Sequence, residues 1–227
     1  MNNIWNNHRS RILVGAPILF ALLLNTGNFG LSENAISLIP EGTIAIEEGE
    51  LFPVLVRVNS HIPINATGAL ISFPTKNLEV ATVDISQSLI GLWSEQPLFL
   101  NSGTTGSLSL SGGILGSDGW TGEGHVLRVI MRATGTGKAK ISIEKGLLLA
   151  ADGKGTNVLS ERNNLVVYIR QSGTPSPDIN QDNKVSLADT NLVYLGTFRD
   201  YDQKLDFNGD KIVSWGDVLT HFYLQAD

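Results

Sequence analysis

The segment FPVLVRVN, residues 52–59, indicates the fold class of this 227-residue chain. Valine occupies every second position from 54 to 58, and the positions between hold Leu55, Arg57 and Asn59. Successive side chains of a β-strand point to opposite faces, so this period of two places the valines in a core and the other residues toward solvent. The segment therefore predicts one strand of an antiparallel sheet.

The same alternation recurs between residues 36 and 170. Further runs that show it cover residues 108–110, 127–132, 138–144 and 165–169. The clusters of turn-forming residues that separate them cover residues 60–65, 74–77, 101–106, 116–124 and 135–137. Short alternating runs bounded by turns are typical of β-sandwiches. We therefore predict a mainly β fold, with a β-sandwich over residues 36–170.

The composition fits packed cores without disulfide bonds. Hydrophobic residues make up 42% of the chain and charged residues 17%, and there is no cysteine. This excludes disulfides, zinc–thiolate sites and cysteine nucleophiles. Residues 36–170 carry 12 acidic and 10 basic side chains, whereas residues 171–227 carry 9 acidic and 4 basic ones. Since there is no basic patch, nucleic acid is not expected as a partner, and the acidic end is expected to face solvent or cations.

The first 30 residues have the features of an export signal. Arg9 and Arg11 precede an apolar run from Ile12 to Leu24, and no acidic residue occurs before Glu33. This run has 13 residues, whereas a helix that spans a bilayer needs about 20. We therefore predict a secretory signal peptide or N-terminal anchor over residues 1–30, and a secreted or cell-surface protein.

Residues 171–177, QSGTPSP, have the composition of a linker between two modules. The two prolines are expected to keep this segment partly extended and the modules apart. Beyond it, the pattern changes from alternation to acid-rich loops that are followed by apolar stretches. We therefore predict a second module over residues 178–227.

Two 12-residue loops with the same acidic pattern are the most specific feature of the chain. The first runs from Asp178 to Asp189, and the second runs from Asp206 to Asp217, 28 residues further on. In both, Asp, Asn, Asp, Ser and Asp occupy positions one, three, five, nine and twelve. A single loop of this kind would be a common surface turn, but two copies in one register indicate a binding site.

These residue types at this spacing are the ones that bind calcium in EF-hand-like loops. Ca²⁺ takes roughly six to eight oxygen ligands, and such a loop supplies them from positions one, three, five, seven, nine and twelve. We therefore predict two bound Ca²⁺ ions. The predicted ligands are Asp178, Asn180, Asp182, the Lys184 carbonyl, Ser186 and Asp189 in the first loop, and Asp206, Asn208, Asp210, the Ile212 carbonyl, Ser214 and Asp217 in the second.

Position six of each loop departs from the EF-hand pattern, which prefers Gly there for a sharp turn. Asn183 occupies this position in the first loop and tolerates a positive φ angle, whereas Lys211 in the second loop adopts one at a cost of about 1 kcal/mol. We therefore expect the second site to be weaker or slightly reshaped.

With Asp at position twelve, paired loops and an apolar stretch after each loop, residues 177–224 resemble a type I dockerin. The resemblance implies a helix over 187–195, another over 215–223, and cohesin domains as partners. It also implies that loop positions ten and eleven help to choose the partner. Those positions hold Leu187, Ala188, Trp215 and Gly216, and Trp215 could be either an exposed contact or part of a core.

The predicted sandwich is in turn similar to a cohesin domain over residues 37–169. The likeness rests on three features: Gly49-Glu50 before the strand 52–58, the segment TGALISFP at 67–74, and the strand 137–144 followed by Ala151-Asp152-Gly153. It implies a jelly-roll sandwich, an architecture shared with some carbohydrate-binding modules, and dockerin-bearing partners.

No enzyme site is predicted. The four histidines lie in separate segments, and the chain has neither a G-x-S-x-G nor an H-E-x-x-H motif. The tetrapeptide GTGK at 135–138 lacks the rest of a P-loop and predicts a hairpin turn instead. Trp120 lies in the loop-like segment GSDGWTG at 116–122, where an exposed ring could bind carbohydrate.

These features predict a non-catalytic, extracellular or cell-surface assembly protein that uses calcium-dependent docking of the cohesin–dockerin type. A chain with both modules could also associate head to tail with further copies of itself. The alternative is a carbohydrate-binding sandwich that is carried on a dockerin and linked to polysaccharide binding or degradation.

Overall fold

The computed structural model describes residues 34–225, so the predicted signal or anchor over residues 1–30 lies outside the described part of the chain. The described residues form ten strands and two helices. The strands are β1 (Ala35–Pro40), β2 (Ala45–Glu47), β3 (Leu51–Pro74), β4 (Leu78–Asp84), β5 (Ile90–Leu100), β6 (Thr105–Ile114), β7 (Trp120–Ala133), β8 (Gly137–Ala150), β9 (Glu161–Asn163) and β10 (Leu165–Arg170). The helices are α1 (Leu187–Gly196) and α2 (Trp215–Tyr223), with a 3₁₀ turn at Gln203–Leu205 between them.

Strand β3 connects the two layers of a β-sandwich. Its first half pairs with β1 and β7, which extends one layer to the order β4-β7-β3-β1-β9. Its second half pairs with β6 and β8, which extends the other layer to the order β5-β6-β3-β8-β10-β2. Inward residues from both halves of β3 share one core, as Val54 and Phe73 illustrate. The predicted mainly β fold and sandwich are confirmed.

The alternation that was visible in the sequence matches the observed burial. Val54, Val56 and Val58 are at most 1% exposed. The other alternating runs also place every second residue in the core; these inward residues are Leu108, Leu110, Leu127, Val129, Met131, Ala139, Ile141, Ile143, Leu165, Val167 and Ile169.

The predicted break at residues 60–65 is wrong, because β3 continues through it. The pairing register between β3 and β7 shifts between Ser60 and Ile64, which marks a bulge where the strand passes from one layer to the other. Ser60 is buried, and its hydroxyl donates to the Ile62 carbonyl at 2.7 Å, which satisfies a polar group inside the bend. Turn-like residues therefore bend the strand here without ending it.

The prediction that Trp120 lies exposed in a loop is also wrong. Trp120 is the first residue of β7, pairs with Ile64 of β3, and is half-buried against the core. A side chain at Gly124 would collide with its ring, so this glycine makes room for the indole. Of the loop-like segment 116–124, only the part before Trp120 is a loop.

Residues 171–174, the first part of the predicted linker, form a turn. The Thr174 hydroxyl donates to the Gln171 carbonyl at 2.8 Å, and Gly173 has a φ angle of +85°. The guanidinium of Arg170, at the end of β10, donates to the Thr174 carbonyl and also pairs with Glu47 at 2.7 Å. The chain therefore leaves the sandwich along a hydrogen-bonded path.

Both predicted helices after the acidic loops are confirmed within one residue at their ends, and they pack against each other. Among residues 34–225, neither helix has the length and apolar character that crossing a membrane requires.

We expect Gly106→Ala to destabilise the sandwich, because a Cβ at this position of β6 would lie well inside contact distance of the buried Phe73 ring. Overpacking of this kind costs about 1–3 kcal/mol. The free energy of unfolding, measured by denaturant titration, tests this. Gly113→Ala in the same strand is the control, since the nearest atom to its added Cβ lies at 3.7 Å. Equal stability of the two variants would contradict the packing described for β6.

Candidate calcium loops and docking face

Each acidic loop leads directly into the first turn of a helix. The serine at position nine is the N-cap residue, Ser186 for α1 and Ser214 for α2, and its hydroxyl accepts a hydrogen bond from the backbone amide two residues later. The aspartate at position twelve lies at the third helical position and completes a capping box. Loop and helix start are therefore built from the same residues.

The position-twelve carboxylates close the loops. One oxygen of Asp189 accepts from the amides of Ile179 and Asn180 at 2.9 and 3.1 Å, and the other accepts from the amide of Ser186 at 2.9 Å. Asp217 repeats this pattern in the second loop with the amides of the corresponding residues, which are Phe207, Asn208 and Ser214. The two loops thus have the same internal architecture.

The position-one carboxylates fix the turn in the middle of each loop. Asp178 accepts from the amides of Asp182 and Asn183 at 3.1 and 2.9 Å. Asp206 accepts from the amides of Gly209 and Lys211 at 2.7 and 2.9 Å.

The position-three and position-five side chains form turns with the backbone amides two residues further on. These side chains are Asn180, Asp182, Asn208 and Asp210, with distances of 2.8–3.0 Å. The amides of Lys184 and Ile212 therefore make equivalent hydrogen bonds in the two loops. The carbonyls of the same two residues are the predicted position-seven ligands.

Positive φ angles occur at two positions in each loop. Position six holds Asn183 at +61° and Lys211 at +66°, as the sequence predicted. Position four also requires this conformation, with Gln181 at +60° and Gly209 at +76°. The positive φ angle at position four was not predicted, although the glycine in the second copy was a signal for it.

Four carboxylates are buried in these loops. Asp189 and Asp217 are fully buried, and Asp178 and Asp206 are at most 6% exposed. Buried charges require compensation, yet the four salt bridges found among residues 34–225 all lie in the sandwich. In the described part of the chain, no lysine or arginine side chain therefore forms an ion pair with these aspartates.

The second loop brings three carboxylates together. Oxygens of Asp206, Asp210 and Asp217 lie within 4.8 Å of one another, and this is the one such group of acidic or histidine side chains among residues 34–225. Ca²⁺–oxygen distances are about 2.3–2.6 Å, so ligands of one ion lie up to about 5 Å apart. The donor set therefore fits a hard divalent cation.

The pKa values of the two position-one residues shift in opposite directions. Burial raises the pKa of Asp178, and the charges of Asp189 and Asp182 raise it further, against the amide hydrogen bonds. Burial also acts to raise the pKa of Asp206, but the hydrogen bonds from Tyr201, Lys211 and Gly209 outweigh it and hold this pKa below its ordinary value. The second loop therefore stabilises its carboxylate charge better than the first.

A buried histidine connects the two halves of the module, and no sequence pattern predicted this role. The Nε2–H group of His221 donates to the Pro177 carbonyl at 2.7 Å, so Nδ1 is an acceptor for the Thr190 hydroxyl at 2.9 Å. Gln225 donates to the same hydroxyl, and the ring of Phe207 packs against the imidazole. His221 thus ties α2 to α1 and to the start of the first loop.

The helices expose an apolar face beside the loops, which we call the apolar helical face; it consists of Leu187, Tyr194, Phe198, Trp215, Leu219 and Phe222. Trp215 is 62% exposed, and its ring lies 5.3 Å from that of Tyr194, which also contacts Phe198. Leu219 and Phe222 follow at helical spacing and are also exposed.

Of the predicted partner contacts, Leu187, Ala188 and Trp215 are exposed, and Gly216 is half-buried against Asn208. Trp215 is therefore an exposed residue, not a core residue.

Comparison with known proteins gives structural likenesses only. No protein-family model matches the chain, and no curated protein matches it. Similar solved structures include a cohesin module from a Clostridium perfringens family 33 glycoside hydrolase, with 10% identity over 61% of this chain and 99% of that one and a TM-score of 0.46. A type II cohesin domain from the cellulosome of Acetivibrio cellulolyticus is also similar. Its identity is 13% over 60% of this chain and 95% of that one, and its TM-score is 0.46.

A type I cohesin–dockerin complex from Clostridium thermocellum also contains a similar chain, with 15% identity over 60% of this chain and 100% of that one and a TM-score of 0.45. Likenesses at this level do not establish a family for the chain.

We expect the helical module to lose stability as the pH falls below about 6.5, the ordinary pKa of histidine. Burial lowers the pKa of His221, against the hydrogen bond to Pro177 and the charge of Asp189. The unfolded chain therefore takes up a proton at a higher pH than the folded one, and folding stability decreases through this window. The raised pKa of Asp178 acts with the opposite sign, so it cannot cause this loss.

Hydrogen exchange of peptides from α1 and α2 at pH 7.5 and 5.5, corrected for the intrinsic pH dependence of exchange, measures this loss. His221→Gln should remove it. His125→Gln is the control, because burial also lowers the pKa of this sandwich histidine. Protection of α1 and α2 that is independent of pH in the unaltered chain would contradict the prediction.

Proposed function

We propose that the chain is a non-catalytic, exported docking protein, and that its C-terminal module binds two Ca²⁺ ions and presents the apolar helical face to a protein partner. The observation that carries this proposal is the group of converging carboxylates of Asp206, Asp210 and Asp217 in a loop whose architecture is repeated from Asp178 to Asp189.

Calcium accounts for the charge of the loops. Each loop contains three aspartates, two of which are buried without an ion pair to lysine or arginine among the described residues. A divalent cation would neutralise most of this charge and supply the missing partner. The residues that would hold the ions are the side chains at positions one, three, five, nine and twelve and the carbonyls of Lys184 and Ile212.

The apolar helical face supports the docking role. Soluble monomers rarely expose large contiguous apolar patches, and those that do use them for binding. Aromatic residues such as Trp215 and Phe222 are the usual anchors of protein interfaces. The calcium loops would hold this face in position, because the N-cap serines and the position-twelve aspartates belong to both.

The sandwich offers a second surface for docking on β5 and β6. Leu92, Leu98 and Leu100 of β5 are more than half exposed, although inward neighbours such as Phe99 pack on the core. Leu98 and Leu100 pair with Ser109 and Ser107 of β6, so apolar and hydroxyl groups share one face of the sheet. We propose that this face receives a dockerin-type module, from another protein or from a second copy of the chain.

The polysaccharide-binding alternative has less support. It relied on an exposed aromatic ring, and Trp120 packs against the core instead.

We expect the full chain to bind two equivalents of Ca²⁺ in a calorimetric titration, and chelation to lower its thermal stability. Saturation at about 100 times the dissociation constant stabilises the folded state by about 2.7 kcal/mol per site. Asp189→Asn and Asp217→Asn should each remove one equivalent, whereas Asp118→Asn on the sandwich should leave both. Absence of calcium binding by the unaltered chain would refute the calcium proposal.

We expect the calcium-loaded chain to bind cohesin modules of the kind seen in the similar structures, as measured by biolayer interferometry. Trp215→Ala should weaken the complex by about 2 kcal/mol or more, as is usual for an aromatic anchor, and chelation should abolish it. Ile62→Ala, which alters an exposed apolar residue of the sandwich, is the control.

Unchanged affinity of Trp215→Ala would remove the apolar helical face from the interface. Light scattering at increasing chain concentration tests the head-to-tail alternative, because growing oligomers would identify the partner as a second copy.

A further inference from the structure

The position-one aspartates of the two loops differ in two hydrogen-bond donors. Oδ1 accepts from the Asp182 amide in the first loop and from the Gly209 amide in the second, and Asp206 also has a side-chain donor. The Tyr201 hydroxyl donates to Oδ2 of Asp206 at 2.9 Å. The corresponding oxygen of Asp178 accepts only the amide of Asn183, also at 2.9 Å, within the described part of the chain. The second loop therefore has a tyrosine in the shell around its predicted ligand, and the first loop does not.

Tyr201 completes the set of donors around Asp206. The Lys211 amide also donates to Oδ2, at 2.9 Å, and the Gly209 amide donates to Oδ1 at 2.7 Å. Two donors on Oδ2 oppose rotation of the carboxylate about its side-chain bonds. Hydroxyl-to-carboxylate hydrogen bonds are charge-assisted and belong to the stronger class in proteins.

A short 3₁₀ turn brings Tyr201 to Asp206. Asp202 caps this turn through a hydrogen bond from the Lys204 amide at 2.9 Å, and the Leu205 amide donates to the Asp202 carbonyl at 3.0 Å. The chain thereby reverses between residues 201 and 206, so that the phenol reaches a carboxylate five residues further on. The first loop instead follows Pro175 and Pro177, and the described segment 171–177 that leads to it contains no 3₁₀ turn.

Backbone strain does not disfavour the second loop as the sequence suggested. Lys211 does adopt a positive φ angle, but position four of the same loop is Gly209, which adopts one without cost. The first loop places two non-glycine residues, Gln181 and Asn183, in this conformation. The glycine thus offsets the lysine, so backbone strain does not make the second loop the weaker one. The contact with Tyr201 is the side-chain hydrogen bond that distinguishes the position-one aspartate of the second loop.

We propose that Tyr201 is a positioning residue for Asp206, and that it makes the second loop the tighter of the two calcium sites. This inference rests on the proposed calcium function. Tyr201 holds the Asp206 carboxylate in one orientation before Ca²⁺ binds, so binding costs less conformational entropy of this side chain. Groups that orient metal ligands in this way change metal affinity by about 10- to 100-fold, and for a half-exposed hydroxyl we expect about 10-fold.

The experiment compares calcium titrations of the full chain carrying Asp178→Asn, which leaves the second loop as the intact site, with and without Tyr201→Phe. Tyr201→Phe should weaken this site about 10-fold. The reciprocal background, Asp206→Asn, should show a weaker remaining site that Tyr201→Phe does not change. Tyr223→Phe is the matched control, because it deletes an exposed hydroxyl from α2 of the same module.

A spectroscopic readout separates positioning from a general loss of stability. Calcium binding should change the near-ultraviolet absorption of Tyr201 through its hydrogen bond, and Tyr201→Phe should remove that difference spectrum while Tyr223→Phe retains it. Two outcomes would overturn this inference in a chain that still binds two ions. One is a calcium affinity of the second loop that stays within twofold of the parent after Tyr201→Phe, and the other is a first loop that binds calcium more tightly than the second. Absence of calcium binding in the unaltered chain would instead overturn the proposed function and this inference with it.

Discussion

The backbone hydrogen bonds of β3 are the constraint on which the sandwich depends. One half of this strand pairs with β1 and β7 and the other half pairs with β6 and β8, so its bend between Ser60 and Ile64 sets how the two layers face each other. A strand that serves both layers must bury alternate residues along its full length. The valines of its first half and Phe73 of its second half satisfy this requirement in a single core.

The C-terminal module is organised differently, because it buries carboxylates where the sandwich buries valines. Asp189 and Asp217 each close a loop and complete the capping box of a helix, and both are predicted cation ligands. Val193 and Val218 are the apolar side chains of α1 and α2 that are buried, and most of their other large apolar residues are exposed. With so little apolar burial, the folded state of this module depends on what satisfies its acidic groups.

Sequence periodicity was sufficient for the features that depend on local spacing. The valine alternation at 54–58 predicted a buried strand, the repeated Asp, Asn and Ser positions predicted two loops, and the resemblance to a type I dockerin implied a helix after each. The same reasoning failed where a residue's role depends on a distant partner. Pro63 and Asn65 look like turn residues, but Ile64 between them pairs with β7 and β8, and both residues stay within β3.

The parts of the site that the sequence did not reveal are those that distant residues form together. Pro177, Thr190, His221 and Gln225 form one hydrogen-bonded group although they are spread over almost 50 residues. No spacing rule connects a histidine to a proline carbonyl 44 residues earlier. The Tyr201 contact is closer in sequence, but it requires the 3₁₀ turn, for which there is no strong sequence signal.

These hydrogen bonds also join the calcium loops to the rest of the chain. His221 follows Asp217 by one turn of α2, and Thr190 follows Asp189 directly, so the Thr190–His221 hydrogen bond joins the helix starts that the two loop-closing carboxylates cap. The Nε2 atom of His221 holds Pro177, and from there the chain leads back through the turn at Thr174 to Arg170 and Glu47 of the sandwich. A hydrogen-bonded path therefore connects the helix pair with the last strand of the sandwich.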